Sequence, residues 1–127
     1  SHGNAEDLGM IYTYAMDLSR MLYINVIAYD YSGYGLGTQL KENIQKNIKP
    51  TEDNCYKDIE AVYEYLTQVE MVTPGNIVLY GRSVGSGPSC YLAERVCTSK
   101  EANIAGMILH SPFLSVIRVV LDMGIEN

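Results

Sequence analysis

The segment Gly81-Arg82-Ser83-Val84-Gly85 follows directly on the apolar run Asn76-Ile77-Val78-Leu79-Tyr80. A serine with glycine two residues to either side, where a strand pattern gives way to a helix pattern, leaves the backbone few solutions. To stand clear of a sheet with its Oγ exposed, such a serine must occupy a sharp, strained turn, and side chains two positions away would collide with neighbouring elements. Glycine at 81 and 85 removes that collision. The turn also aims the Val84 backbone N–H into the space beside the serine hydroxyl, at the positive end of the following helix. Ser83 is therefore the candidate nucleophile, Gly81 and Gly85 the glycines of its elbow, and Val84 a candidate oxyanion donor.

The rest of the chain supplies a context of alternating helices and strands. From Asp7 to about Leu22, residues Ile11, Tyr14, Ala15, Leu18 and Leu22 recur at spacings of three and four, the pattern of an amphipathic helix. The mostly apolar run from Asn25 to Tyr31 predicts a strand covered on both faces, stopped by Ser32-Gly33-Tyr34-Gly35. Residues 36 to 50 read as a polar surface loop. Thr51 then caps a helix whose first turn carries Glu52 and Asp53, with Cys55, Ile59, Val62, Leu66 and Val69 as its inward stripe. Pro74-Gly75 ends that unit before a strand over 76 to 80. After the elbow, Cys90, Leu92, Ala93, Val96 and Cys97 sit on helical spacing to about Thr98, with Pro88 near the first turn. Ile104 to His110 predicts one more strand, and 114 to 123 a closing helix. Helices alternating with strands demand a parallel sheet with right-handed crossovers, an α/β architecture of three layers with helices on both faces.

Composition bounds the function classes. A chain of 127 residues, 47% apolar and with a formal charge of −6, suits one soluble domain. Its nine Lys and Arg residues are scattered, which gives no support for nucleic-acid binding. No signal peptide is evident, and no apolar run approaches the roughly 18 residues of a membrane span. The three cysteines, Cys55, Cys90 and Cys97, lack metal-ligand spacing, so the expectation is buried free thiols in a reducing cytoplasm, with no metal.

With the elbow, the opening Ser1-His2-Gly3-Asn4, the turn Asp30-Tyr31-Ser32-Gly33-Tyr34-Gly35 and the run Ile108-Leu109-His110-Ser111-Pro112 in this order, the chain resembles the α/β-hydrolase superfamily. Within it, Pro50-Thr51-Glu52-Asp53-Asn54-Cys55-Tyr56-Lys57-Asp58-Ile59 is similar to a segment of the membrane-associated protein depalmitoylases. The likeness covers nearly the whole chain except a longer region near 38 to 49. It implies that Asn4 donates a second backbone N–H to the oxyanion opposite Val84. It places Asp30 at a strand end, bracing the glycine turn, and His110 reads as a satisfied histidine at a strand end in preference to a general base.

The same resemblance implies a serine hydrolase acting on esters or thioesters through an acyl-enzyme, without cofactor, on an acylated protein or a small ester. Phe113, Leu114, Val116 and Ile117 are candidates to line an acyl channel, with plain core packing as the alternative. In this fold the order along the chain is Ser, acid, His. After Ser83 only Glu94, Glu101 and His110 are available before the closing segment, and Glu94 and Glu101 lie on or just after the elbow helix, which leads away from Ser83. The expectation is a partial domain over 1–127, with the acid and base beyond Asn127, the first three strands before Ser1, and an inactive isolated chain. The strand over 25 to 31 would then pair with 76 to 80 or take an edge from another copy, making a homodimer. Membrane contact would run only through segments outside this chain, at the cytoplasmic face.

Two other function classes fit parts of the pattern. Gly81, Gly85 and Gly87 after a strand also suit a dinucleotide loop of an oxidoreductase, although that reading leaves His2-Gly3-Asn4 without a purpose. A non-catalytic interaction domain is the other.

Overall fold

A computed structural model describes residues 1–35, 50–99 and 103–112. Asp7 starts the first helix, α1 (Leu8–Leu22), its carboxylate accepting from the Met10 N–H at 2.9 Å. The helix ends at Tyr23, which turns left-handed at φ 53° so that the N–H groups of Tyr23 and Ile24 both close on the Ser19 carbonyl. Thr51 caps α2 (Glu52–Glu64) by accepting from the Asn54 N–H at 3.1 Å. Cys55 and Ile59 of its stripe are buried. The chain then widens into a π-helical turn over Tyr65–Val69, which carries Val69 off the stripe to 64% exposure.

A short 3-10 turn, Pro74–Asn76, precedes β1 (Val78–Arg82), so the strand starts and ends two residues later than the apolar run suggests. Another 3-10 turn, Ser83–Gly85, leads into α3 (Ser86–Thr98), and β2 (Gly106–His110) returns parallel to β1 with Val78 opposite Gly106 and Arg82 opposite His110. Alternate residues of β1 face opposite ways. Leu79 joins Ile77, Ile59 of α2 and Leu92 and Val96 of α3 in the core, while Tyr80 meets Tyr14 of α1 through their hydroxyls at 2.8 Å. Helices therefore cover one face and touch the other.

Three expectations are corrected. Residues 25 to 31 form no strand and pair with neither 76 to 80 nor anything else among the described residues. The position beside β1 is taken by Ser1, whose nitrogen donates to the Tyr80 carbonyl (2.7 Å) and whose carbonyl accepts from the Arg82 N–H (3.1 Å), the pattern of a parallel neighbour. Residues 29 and 31 reach that short segment by side chains, Tyr29 to the Ser1 hydroxyl (2.6 Å) and Tyr31 to the His2 carbonyl (3.0 Å). Second, Cys90 and Cys97 are exposed and only Cys55 is buried. Ser89, Leu92 and Val96 form the buried stripe of α3, and Cys90 and Cys97, each one residue on, are turned about 100° away from it. Third, no residue of α1 is fully buried: Ile11, Ala15 and Leu18 are half-covered, and Tyr14 and Leu22 are exposed. The polar segment 36–49, Glu101 and the helix expected over 114–123 lie outside the described residues.

Leu92 is 2% exposed at the centre of the core. Leu92→Ala should lower the unfolding free energy by about 2–5 kcal/mol, and Thr51→Ala, which removes only a cap, by about 1 kcal/mol. Urea unfolding of the two variants checks both the size and the order of these losses.

Candidate functional site

β1 ends where Ser83 adopts φ 50°, a left-handed conformation costing a residue other than glycine about 1–3 kcal/mol. The conformation is held from below. The Ser83 carbonyl accepts from the Ser86 hydroxyl at 2.6 Å, and the buried Ser89 hydroxyl donates to the Gly85 carbonyl at 2.8 Å. Both glycines are required by contact. A Cβ on Gly81 would lie 2.5 Å from the Gly85 carbonyl oxygen and 2.7 Å from Ser89 Oγ. One on Gly85 would overlap the Ser1 carbonyl and lie 2.8 Å from that of His2. Val84 follows at the start of the turn, half-buried. Among the described residues, no side-chain oxygen caps either this turn or α3.

The Ser1–Asn4 segment lies against this elbow, and the ideal Cβ position of Gly3 is 3.7 Å from the Ser83 Cβ. One peptide plane matters most. The Gly3 carbonyl accepts from His2 Nδ1 at 2.9 Å and, more weakly, from the Glu6 N–H at 3.4 Å. In a trans peptide the N–H points opposite to the carbonyl, so these two bonds also fix where the Asn4 N–H points. A carbonyl can only accept, so Nδ1 carries the proton. His2 Nε2 is buried without a hydrogen-bond partner, 3.5 Å from Asp30 Oδ1.

Asp30 braces local structure. Its carboxylate accepts from the Leu8 N–H at 2.9 Å, and a Cβ on Gly35, at φ 54°, would overlap it. His110 directs Nδ1 to the Tyr80 hydroxyl at 2.8 Å, so the described side-chain bonds of the two histidines go to Tyr80 and to the Gly3 carbonyl. Glu94 is exposed on α3. Phe113, Leu114, Val116 and Ile117 lie outside the described residues. Among the described residues no group of three His, Cys, Asp or Glu side chains is placed to hold a metal, and no helix is long and apolar enough to cross a membrane.

Several participants were not singled out by sequence. Glu6 accepts the Gly3 N–H at 2.7 Å through Oε2 and pairs with Arg82 through Oε1, clasping the Ser1–Asn4 segment to the residue before Ser83. The three-residue reach of Glu6 back to an N–H is one half of a capping box, whose reciprocal side-chain bond Gly3 cannot make. Tyr31, Tyr34 and Asp58 join through tertiary contacts that no local spacing announces.

The elbow, the loop beside it and the parallel sheet define an α/β-hydrolase: the family described as alpha/beta hydrolase fold matches residues 2–125, and the chain belongs to it. The chain is 42% identical over 119 residues to alpha/beta hydrolase domain-containing protein 17C of Xenopus tropicalis, covering 94% of this chain and 34% of that protein. Human alpha/beta hydrolase domain-containing protein 17B is 40% identical over 119 residues, covering 94% and 36%. The aho-3 protein of Caenorhabditis elegans, also named an alpha/beta hydrolase domain-containing protein, is 42% identical over 119 residues, covering 94% and 31%. The chain thus spans about a third of the length of the curated relatives it matches. No solved structure matches it.

Gly85→Ala should destabilise by about 1–3 kcal/mol or more, because backbone must shift to admit the Cβ. Gly106, at the start of β2 with nothing within 4 Å of its Cβ position, is the control, and Gly106→Ala should stabilise by about 0.4–1 kcal/mol. Thermal unfolding of the pair gives the two opposite signs. A second test concerns Tyr80, whose phenol is pushed from 10.0 up to about 12, first by burial and then by the Tyr14 hydroxyl. Folding favours the protonated phenol, so its contribution is fully present below pH 10 and is lost as the pH rises toward 12. Urea midpoints measured across that range should fall more steeply in the parent than in Tyr80→Phe.

Proposed function

We propose that the intact protein is a serine hydrolase that cleaves esters or thioesters through an acyl-enzyme on Ser83. The observation that carries this reading is the left-handed Ser83 at the strand-to-helix turn, between two glycines packed too tightly for any side chain. A backbone strained and held this way presents a hydroxyl to solvent at fixed geometry. The Asn4 N–H, its direction fixed through the Gly3 carbonyl, and the Val84 N–H are the two proposed oxyanion donors.

In the proposed reaction the Ser83 oxygen adds to the acyl carbonyl carbon while its proton passes to a general base. The carbonyl oxygen takes the negative charge and receives the two N–H donors. Collapse expels the alcohol or thiol, which leaves with that proton. Water then adds to the acyl-serine by the same route, releasing the carboxylic acid and restoring the hydroxyl. His110, committed to Tyr80, is not assigned as the base, and we place the acid and base outside this chain. The 127-residue chain alone should therefore turn over no substrate.

The resemblance to protein depalmitoylases extends the proposal to fatty acyl thioesters on proteins at the cytoplasmic face of a membrane, with Phe113 and Leu114 near the acyl chain. The packing of Gly85 against the carbonyls of Ser1 and His2 counts against a dinucleotide loop, whose middle glycine must leave the backbone open to a pyrophosphate. A fluorophosphonate probe offered to the full-length protein should label it at Ser83, and Ser83→Ala should abolish labelling. An unlabelled parent, or equal labelling of the variant, overturns the proposal.

A further inference from the structure

The glycine turn over Tyr31–Gly35 contacts the Ser1–Asn4 segment and carries its own set of anchors. Asp58 of α2 accepts twice from Ser32, from its N–H at 2.6 Å and its hydroxyl at 2.8 Å. Gly33 at φ 94° and Gly35 at φ 54° let the chain turn tightly there. Two phenols then project onto the segment. Tyr31, 1% exposed, donates to the His2 carbonyl at 3.0 Å and packs its ring 4.3 Å from the His2 ring. Tyr34 meets that ring edge-on at 5.5 Å and the Tyr31 ring at 5.6 Å, and its hydroxyl donates to Asn4 Oδ1 at 2.9 Å.

This arrangement leaves Asn4 tied at both ends. Its backbone N–H is oriented through the Gly3 carbonyl, which the His2 ring holds. Asn4 is otherwise exposed, and the next residue, Ala5, is left-handed at φ 56°. In so strained and open a loop, the side-chain tie adds a second restraint on the Asn4 backbone to the one the Gly3 carbonyl provides. Burial raises the phenols of Tyr31 and Tyr34 above the ordinary tyrosine range, so both stay protonated and able to donate.

We infer that Tyr34 is a positioning residue for the oxyanion site: through Asn4 Oδ1, and backed by the His2–Tyr31 ring contact and the Asp58–Ser32 anchor, it holds the Asn4 N–H toward the oxygen of an acyl group at Ser83. The inference rests on the serine-hydrolase reading above. Tyr34 touches Asn4 and no reacting atom, so its removal should loosen the donor without removing it.

The test is a double-mutant cycle on the full-length protein, with hydrolysis of a fatty acyl thioester as the readout. Tyr34→Phe should lower kcat about tenfold with KM unchanged, less than the roughly 10²-fold that a 1 Å misplacement can cost and less than the 10²- to 10³-fold of losing a donor outright. Asn4→Ala, which keeps the backbone N–H but removes the acceptor of the Tyr34 bond, should cost the same factor. The double variant should be no slower than either single one, and the thermal midpoints of all four proteins should agree closely. Additive losses, a rise in KM in place of a fall in kcat, or a Tyr34→Phe enzyme as fast as the parent would overturn the positioning role while leaving Ser83 in place. A parent without Ser83-dependent hydrolysis overturns the serine-hydrolase reading and this inference with it.

Discussion

The backbone contact between the elbow and the Ser1–His2 segment is the constraint on which the rest of the geometry depends. Gly85 approaches the carbonyls of Ser1 and His2 so closely that no Cβ fits between them. The same segment bonds to Tyr80 and Arg82 of β1. Strand end, serine turn and loop are therefore a single packed unit whose parts cannot shift separately. The strain at Ser83 persists because this unit and the hydroxyls of Ser86 and Ser89 leave the turn no alternative.

A second layer of contacts surrounds that unit. Glu6 and Arg82 clasp it, and the Tyr31–Gly35 turn contacts it through His2. The ion pair is partly exposed and screened, so its value lies in register more than in stability. His2, in a motif where a histidine invites a catalytic label, orients a peptide plane instead. The titratable side chains among these contacts set geometry, and the proposed chemistry is concentrated on one hydroxyl and two backbone N–H groups.

Much of this was legible in the residues themselves. Asp7 and Thr51 are helix caps where local chemistry requires them, and the glycines around Ser83 are present for the steric reason their spacing suggests. The apolar run over 25 to 31 was misleading because strand identity depends on a backbone partner, and the position beside β1 belongs to Ser1. Cys90 and Cys97 fit a helix but not its buried stripe, which periodicity alone places only to within a rotation of the axis. Tyr34 and Asp58 could not be found from spacing, since their partners lie 30 and 26 residues away in the chain.

The three described α-helices differ in how they begin. Asp7 and Thr51 each lend an oxygen to the open N–H groups of α1 and α2, whereas the turn at Ser83 and the start of α3 receive no such oxygen from any described side chain. A cap there would add about 1 kcal/mol to stability, and the molecule forgoes it at the helix start that adjoins Ser83. On the acyl-transfer reading the missing cap is completed in passing by the substrate, whose oxygen, as it gains charge, fills the vacancy that a protein side chain fills elsewhere. On that reading the turn at Ser83 receives an outside acceptor only while the reaction is under way.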